Sequence, residues 1–179
     1  RLHGITPLAR LKRLGLLGPG FIGVHAIHID EPDLELLAAT GCSVAHCPTS
    51  NLKLGGGIAP VARMRQLEIN VGLGTDGAAS NNRLDMFGEM RLAALLAKGS
   101  TGDASTLPAH AALRMATLDA ANALGLAGEI GSITPGKAAD LVAVSLKGLN
   151  TKPCYDPLSH LVHVAGRECV THVWVNGKC

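Results

Sequence analysis

The sequence predicts an α/β fold built from parallel β/α units with a small β-region attached. Before Gly99, apolar strand-like runs alternate three times with helix-patterned segments, the rhythm of parallel strands joined by crossover helices. Apolar residues make up 47% of the 179, enough for a sizeable core. Beyond Gly99 the texture changes to Ala- and Leu-rich helix and then to short β-like runs.

Taken in order, "TPLARLKRLGLLG" reads as a short helix with Thr6 as N-cap, Pro7 at its first position and Gly15 or Gly18 at its stop. "GFIGVHAIHI" is an apolar run of strand type, and "DEPDLELLAATG" is a helix with an acidic first turn that ends at Gly41. "CSVAHCP" is the second strand, "TSNLKLGGGIAP" a loop, and "APVARMRQLE" a helix leading into the third strand, "INVGLGTD". "RLDMFGEMRLAALLAKG" is a long amphipathic helix with Leu84, Phe87, Leu92 and Leu95 at helical spacings. "TLPAHAALRMATLDAANALGL" reads as two helical segments that break near Thr117. After "GEIGSITPGKAAD" the runs "DLVAVSL" and "ECVTHVWVNGK" form a small β-region with no periodic helix between them. No internal repeat of solenoid type stands out.

Composition excludes several function classes. Net charge is +2 with Lys and Arg scattered, which is not the footprint of a nucleic-acid binder, and four aromatic residues are too few for base-stacking platforms. The apolar runs are too short to span a membrane. Five cysteines without CxxC spacing fit a reducing compartment, and a cytoplasmic location is expected; Cys42 and Cys47 read as small buried residues. The chain opens without an initiator Met, so a fragment or processed product is expected.

Chemistry gathers at the ends of the three strands. The first carries His25 and His28, the second His46, and the third Asp76. In a parallel sheet these ends lie on one rim, and imidazole with carboxylate is the ligand chemistry of a hydrolytic zinc or iron site. Each residue also has a plainer reading. A lone histidine in an apolar strand is more often a core residue bonded to backbone, and His25 taken alone reads that way. By strict alternation His28 points opposite His25 unless the strand has ended. His46 could anchor the Pro48 turn, and Asp76 could cap the helix beginning near Arg83 or hold an Asx turn. Three successive strands ending in His, His and Asp before Gly- and Asn-rich loops make these plain readings a poor joint explanation. "LGGGIAP" has no GK[ST] and no glycine fingerprint, which argues against a phosphate loop. Ser50 and Asn51 shape the loop after His46 and are placed to line the pocket. His110, His160, His163 and His172 read as packing or surface residues.

The runs "VAHCPTSNLKLGGGIAPV" and "VGLGTDGAASNNRLDMFGEMRLAALLAK" closely resemble the amidohydrolase superfamily, in the branch of 5-methylthioadenosine/S-adenosylhomocysteine deaminases and triazine hydrolases. The resemblance extends through "TLDAANALGL" and "GSITPGKAADLV" and so covers almost the whole chain. It implies the C-terminal part of a TIM-type (β/α)8 barrel, strands six to eight, over residues 1–127. Residues 128–179 would be the β-region of the flanking domain. It further implies that His25 and Asp76 bind one divalent metal, zinc or else iron, and that Asp76 takes the proton of the attacking water. His46 would polarise the substrate, Ser80 would contact it, and His28 would stand where relatives often carry a proton-shuttling Glu. The implied substrate is an adenine-type ring such as that of 5-methylthioadenosine or S-adenosylhomocysteine. The alternatives are chlorohydrolysis or deamination of triazine, guanine or pyrimidine rings, or an inactive assembly module. The family's HxH pair and fifth-strand histidine are absent here, so a separate N-terminal barrel segment is an expected partner and the chain alone is expected to be inactive. A homo-oligomer is also expected.

Overall fold

A computed structural model describes residues 4–179. Strands β1 (Ile22–Val24), β2 (Ser43–His46) and β3 (Asn70–Leu73) form one parallel sheet in the order β1-β2-β3. Ser43 pairs with both Ile22 and Asn70, so the three strands start in step and their C-terminal ends share one rim. Helices α1 (Pro7–Arg13), α2 (Glu31–Thr40), α3 (Pro48–Lys53), α4 (Val61–Gln66) and α5 (Met86–Thr101) run before, between and after them. Helices α6 (Ala109–Met115) and α7 (Leu118–Ala123) follow, broken at Thr117 as the sequence predicts. Strands β4 (Leu141–Val144) and β5 (Val170–Trp174) pair antiparallel as a separate sheet. The predicted fold class, parallel β/α units with a small flanking β-region, is the observed one.

Local signals set most boundaries. Thr6 accepts the Ala9 N–H at 3.1 Å and Asp30 accepts the Asp33 N–H at 3.0 Å, each capping its helix, and Gly41 ends α2 with a left-handed φ of 67°. Asp85 caps α5 by accepting the Phe87 and Gly88 amides. The core joins Leu37, Val44, Met64, Val71, Met90 and Met115 between sheet and helices. Helix α7 packs directly on β3 because Gly72 has no side chain; a Cβ there would stand 2.9 Å from Ala120 Cα.

Four expectations need correction. The first strand stops at Val24, well short of Ile29, because His25 and Ala26 take positive φ values of 70° and 45°. The segment after Pro48 is not all loop: its first five residues belong to α3, which Pro48 itself starts with a φ already set for a helical first turn. Helix α5 turns Met90, Ala93, Ala94 and Ala97 inward, whereas Leu95 is 52% exposed and Leu84 lies before the helix. Small residues form the buried stripe because the helix lies close to its neighbours. Finally, a helix does intervene between β4 and β5. Helix α8 (Pro157–His163) packs on α5 and α6 and buries Val162 in the main core.

Candidate active site

The rim at the C-terminal ends of β1, β2 and β3 brings together most of the residues singled out in the sequence. The β1 ladder continues one step beyond the strand, with the His25 N–H donating to Ala45 O at 3.0 Å. The Ala26 N–H then turns back to Val24 O at 2.9 Å, which places His25 at the centre of a γ-turn with positive φ. That turn is rare and strained. It swings the imidazole toward β3, where Asp76 also holds a positive φ of 62°. His25 Nε2 stands 3.7 Å from Asp76 Oδ2, with the two side chains 38% and 33% exposed. Strain of this kind costs on the order of 1–3 kcal/mol per residue and persists where the surroundings dictate it.

Neighbours fix both groups. Asn51 Oδ1 lies 2.8 Å from His25 Nδ1 and accepts its N–H, which leaves Nε2 facing Asp76. The Asp76 carboxylate accepts Ser50 Oγ at 2.6 Å and Ser80 Oγ at 2.9 Å on Oδ2, and the Gly77 N–H at 2.7 Å on Oδ1. These donors, Ser50 foremost, hold its pKa down at about 2, with His25 adding a smaller share. Asp76 therefore caps no helix; that duty falls to Asp85.

His46 lies on the central strand between them, only 1% exposed. Burial, and then the neighbouring His25, depress its pKa to about 4, so the ring is neutral at pH 7. Among the described residues, its Nδ1 is buried without a hydrogen-bond partner, and so is Asn51 Nδ2. Two orphaned polar atoms beside the His25–Asp76 pair mark the place where a further polar group is needed. Cys47, next in sequence, is no candidate nucleophile: burial, helped by the charges of Asp76 and Glu89, pushes its thiol up to about 11. His28 lies past the end of the strand and, with His25, lines a groove along the open edge of β1.

Thus His25 approaches Asp76 to 3.7 Å, Ser80 bonds Asp76 and His46 lies alongside, while His28 stands apart in the groove. Ser50 and Asn51, read in the sequence as loop-shaping and placed to line the pocket, bond Asp76 and His25 respectively. The signal for them was their place in a polar "TSN" triplet directly after a strand-end histidine. Among the described residues no group of three or more His, Cys, Asp or Glu side chains converges as a full metal cage. His25 Nε2 and Asp76 Oδ2 nonetheless fit a shared cation, since their 3.7 Å separation is spanned by two bonds of about 2.1 Å.

Known proteins resemble the chain over nearly its whole length. The chain is 47% identical over 176 residues to a 5-methylthioadenosine/S-adenosylhomocysteine deaminase of Syntrophobacter fumaroxidans, covering 98% of this chain and 40% of the relative. A 5'-deoxyadenosine deaminase of Methanothermobacter thermautotrophicus is 43% identical over 178 residues, 99% of this chain and 41% of the relative. Among solved structures, an adenosine deaminase from Xanthomonas campestris with bound zinc superposes with a TM-score of 0.96 at 50% identity, over 98% of this chain and 40% of that one. The zinc complex of an atrazine chlorohydrolase from Arthrobacter aurescens superposes with a TM-score of 0.93 at 31% identity, over 99% and 39%. The chain spans about two-fifths of the length of the curated relatives it matches. The Amidohydrolase family profile matches residues 3–179, and with the shared fold and a strand-end His–Asp pair this establishes that the chain belongs to the amidohydrolase family.

Proposed function

We propose that this chain carries the acid–base side of the active site of a metal-dependent aminohydrolase that removes ammonia from an adenine-type ring. The substrate class is that of 5-methylthioadenosine and S-adenosylhomocysteine, with triazine, guanine or pyrimidine rings as the alternative. The observation that carries the reading is the His25–Asp76 pair, bonded on one side to Asn51 and on the other to Ser50 and Ser80. Residues 1–127 would hold the reacting groups and residues 128–179 the flanking sheet.

Zinc, which both of the solved relatives above contain, would be held here by His25 Nε2 and Asp76 Oδ2. Iron has no support from the comparisons. When bound, such an ion lowers the pKa of water and polarises the ring. Asp76, ionised at neutral pH, takes a proton from the attacking water as its oxygen bonds to the ring carbon bearing the amino group. It then returns that proton to the departing amine, and ammonia leaves. A carboxylate held near pKa 2 is a weak base. If Ser80 turns its hydroxyl from Asp76 to the substrate, one of three donors is lost and the basicity of Asp76 rises. His46, neutral at pH 7, donates a hydrogen bond to the ring as charge builds there. His28 contacts the outer side of the substrate, passes a proton to the ring nitrogen as the water adds, and regains one from the hydroxyl on the ring carbon as ammonia leaves, which yields the ring carbonyl.

A second reading keeps the same residues but makes His25 an orienting partner of the attacking water, not a ligand. It is favoured by the direct approach of His25 to Asp76 and by a donor set of only two among the described residues. Zinc content separates the two, since His25→Ala lowers it only if His25 is a ligand.

The function is tested by joining this chain to the N-terminal part of the Syntrophobacter fumaroxidans relative, in place of the segment it matches. The chimera should release ammonia from methylthioadenosine. A chimera that folds and binds zinc yet leaves methylthioadenosine, adenosine and the triazine rings untouched would refute the aminohydrolase reading. By itself the chain offers two ligands and should hold zinc weakly, without turnover.

A further inference from the structure

Behind the site, on the inner side of α5, lies a buried carboxylate with no part in the chemistry above. Glu89 is 1% exposed, and among the described residues it has no ion-pair partner. Its two oxygens face in different directions. Oε2 accepts the backbone N–H of Thr49 at 3.1 Å, and Oε1 accepts Asn81 Nδ2 at 2.8 Å. Thr49 immediately precedes Ser50 and Asn51, the residues bonded to Asp76 and His25. Asn81 immediately follows Ser80, the other hydroxyl on Asp76, and its Nδ2 also holds Thr75 O at 2.9 Å, one residue before Asp76. One side chain thus ties α3, whose Ser50 and Asn51 bond Asp76 and His25, to the loop after β3 that carries Asp76 and Ser80.

Energetics make this a costly way merely to hold a fold together. A carboxylate buried on neutral donors alone forfeits hydration that two amide hydrogen bonds repay only in part. An apolar side chain would fill the same space without that cost. What it cannot do is accept from two donors on two separate loops and fix the distance between them. Deletion of either bond frees α3 relative to the loop after β3, and α3 is what reaches His25, through Asn51, while that loop carries Asp76.

We propose that Glu89 is a positioning residue that sets the separation of His25 and Asp76 and so the affinity of the site for its metal. The inference rests on the proposed metal-dependent reading of that site. Support from behind directly bonded ligands is commonly worth about 10–100-fold in metal affinity. Glu89 acts through one further residue, so a loss at the low end of that range, about tenfold, is expected.

The test uses the chimera described above and reads zinc affinity by competition with a chromophoric chelator, alongside the thermal midpoint of the metal-free protein. Glu89→Gln is nearly the same size but has one acceptor and one donor, so either orientation of its amide faces a donor with a donor. It should weaken zinc by about tenfold in protein that is still folded. Glu89→Asp keeps both acceptors but withdraws them by one methylene and should give a smaller loss in the same direction. A folded Glu89→Gln chimera with zinc affinity within twofold of the parent would overturn the inference. So would a Glu89→Gln chimera that fails to fold beside a Glu89→Asp chimera with parental affinity, which would make Glu89 a fold residue only. If the parent chimera binds zinc but releases no ammonia, the functional reading fails while the Glu89 series still decides the positioning role. If the parent binds no zinc, the metal site itself is refuted, and the positioning role with it.

Discussion

Acid should expose His46. The ring is 1% exposed and its pKa falls from 6.5 to about 4, chiefly through burial. In the unfolded chain the same ring titrates near 6.5, so above that pH both states carry it neutral and it contributes nothing to pH dependence. As pH falls through 6.5 the unfolded chain takes up a proton that the folded chain refuses, and stability drops until the folded ring titrates near pH 4. A shift of about 2.5 units at about 1.4 kcal/mol per unit amounts to roughly 3 kcal/mol across the window, of which about 2 kcal/mol is lost by pH 5. That is a large share of the 5–15 kcal/mol typical of a domain. The measurement is urea unfolding of the chain at pH 7.5 and pH 5, beside a His46→Gln variant that cannot titrate. The difference isolates His46 from His163, whose pKa is also lowered by burial, because His163 is common to both proteins. Equal losses of stability in parent and variant between pH 7.5 and 5 would refute the claim that the fold holds His46 neutral.

Other consequences are open to simple measurement. Asp76→Asn in the chimera keeps the shape but cannot accept the water proton, so ammonia release should fall by at least the 10²–10⁴-fold typical of acid–base catalysis; near-parental turnover would reduce Asp76 to a loop residue. Gly72→Ala pushes a methyl against the Ala120 backbone at 2.9 Å, so chemical denaturation should show a loss of about 1–3 kcal/mol. Asp85→Ala removes the cap of α5 and should cost about 1 kcal/mol by the same assay. In thiol labelling at pH 8, exposed Cys179 should react first, and Cys47, buried with its thiol held near 11, should lag far behind. Among the described residues, strand β1 has a hydrogen-bonded neighbour on one side only, and Val24 is 53% exposed, so sedimentation should show the isolated chain associating as concentration rises.

Periodicity and punctuation in the sequence reveal the fold well where local chemistry decides it. Thr6, Asp30 and Gly41 act as caps because their side chain or φ freedom answers a need within three residues. The errors arise where tertiary contacts decide. Leu95 follows the helical apolar period yet faces outward, because close packing selects the alanine stripe of α5 instead. Helix α8 was hidden in "DPLSHLVH", whose one fully buried residue, Val162, is too little for a periodic signal. At the site, residue types at strand ends pointed to His25, His46 and Asp76, but nothing in the sequence specifies the γ-turn that redirects His25. Strict alternation along β1 would have sent that ring elsewhere. The Glu89 bonds were also invisible, since a glutamate in an amphipathic helix reads as solvated surface.

The reach of the "TSN" triplet follows from its being a helix. Along a strand, successive side chains alternate between two opposite faces, and three neighbours could serve only two directions. On the first turn of α3 successive side chains are rotated by about 100°. Ser50 therefore reaches Asp76 while Asn51 reaches His25, and the first-turn amide of Thr49, unused within the helix, is free for Glu89. Pro48 fixes where this turn begins, with a φ already suited to the first helical position. Insertion of one alanine between Thr49 and Ser50 should rotate both side chains by about 100° and break the bonds to Asp76 and His25, while leaving the Thr49 amide on Glu89. Loss of zinc affinity in that chimera, with the same thermal midpoint, would show that direction matters in this segment and not merely its polarity. Retention of full affinity would mean that the site tolerates any arrangement of the triplet, and the geometric account of how His25 and Asp76 are held would have to be abandoned.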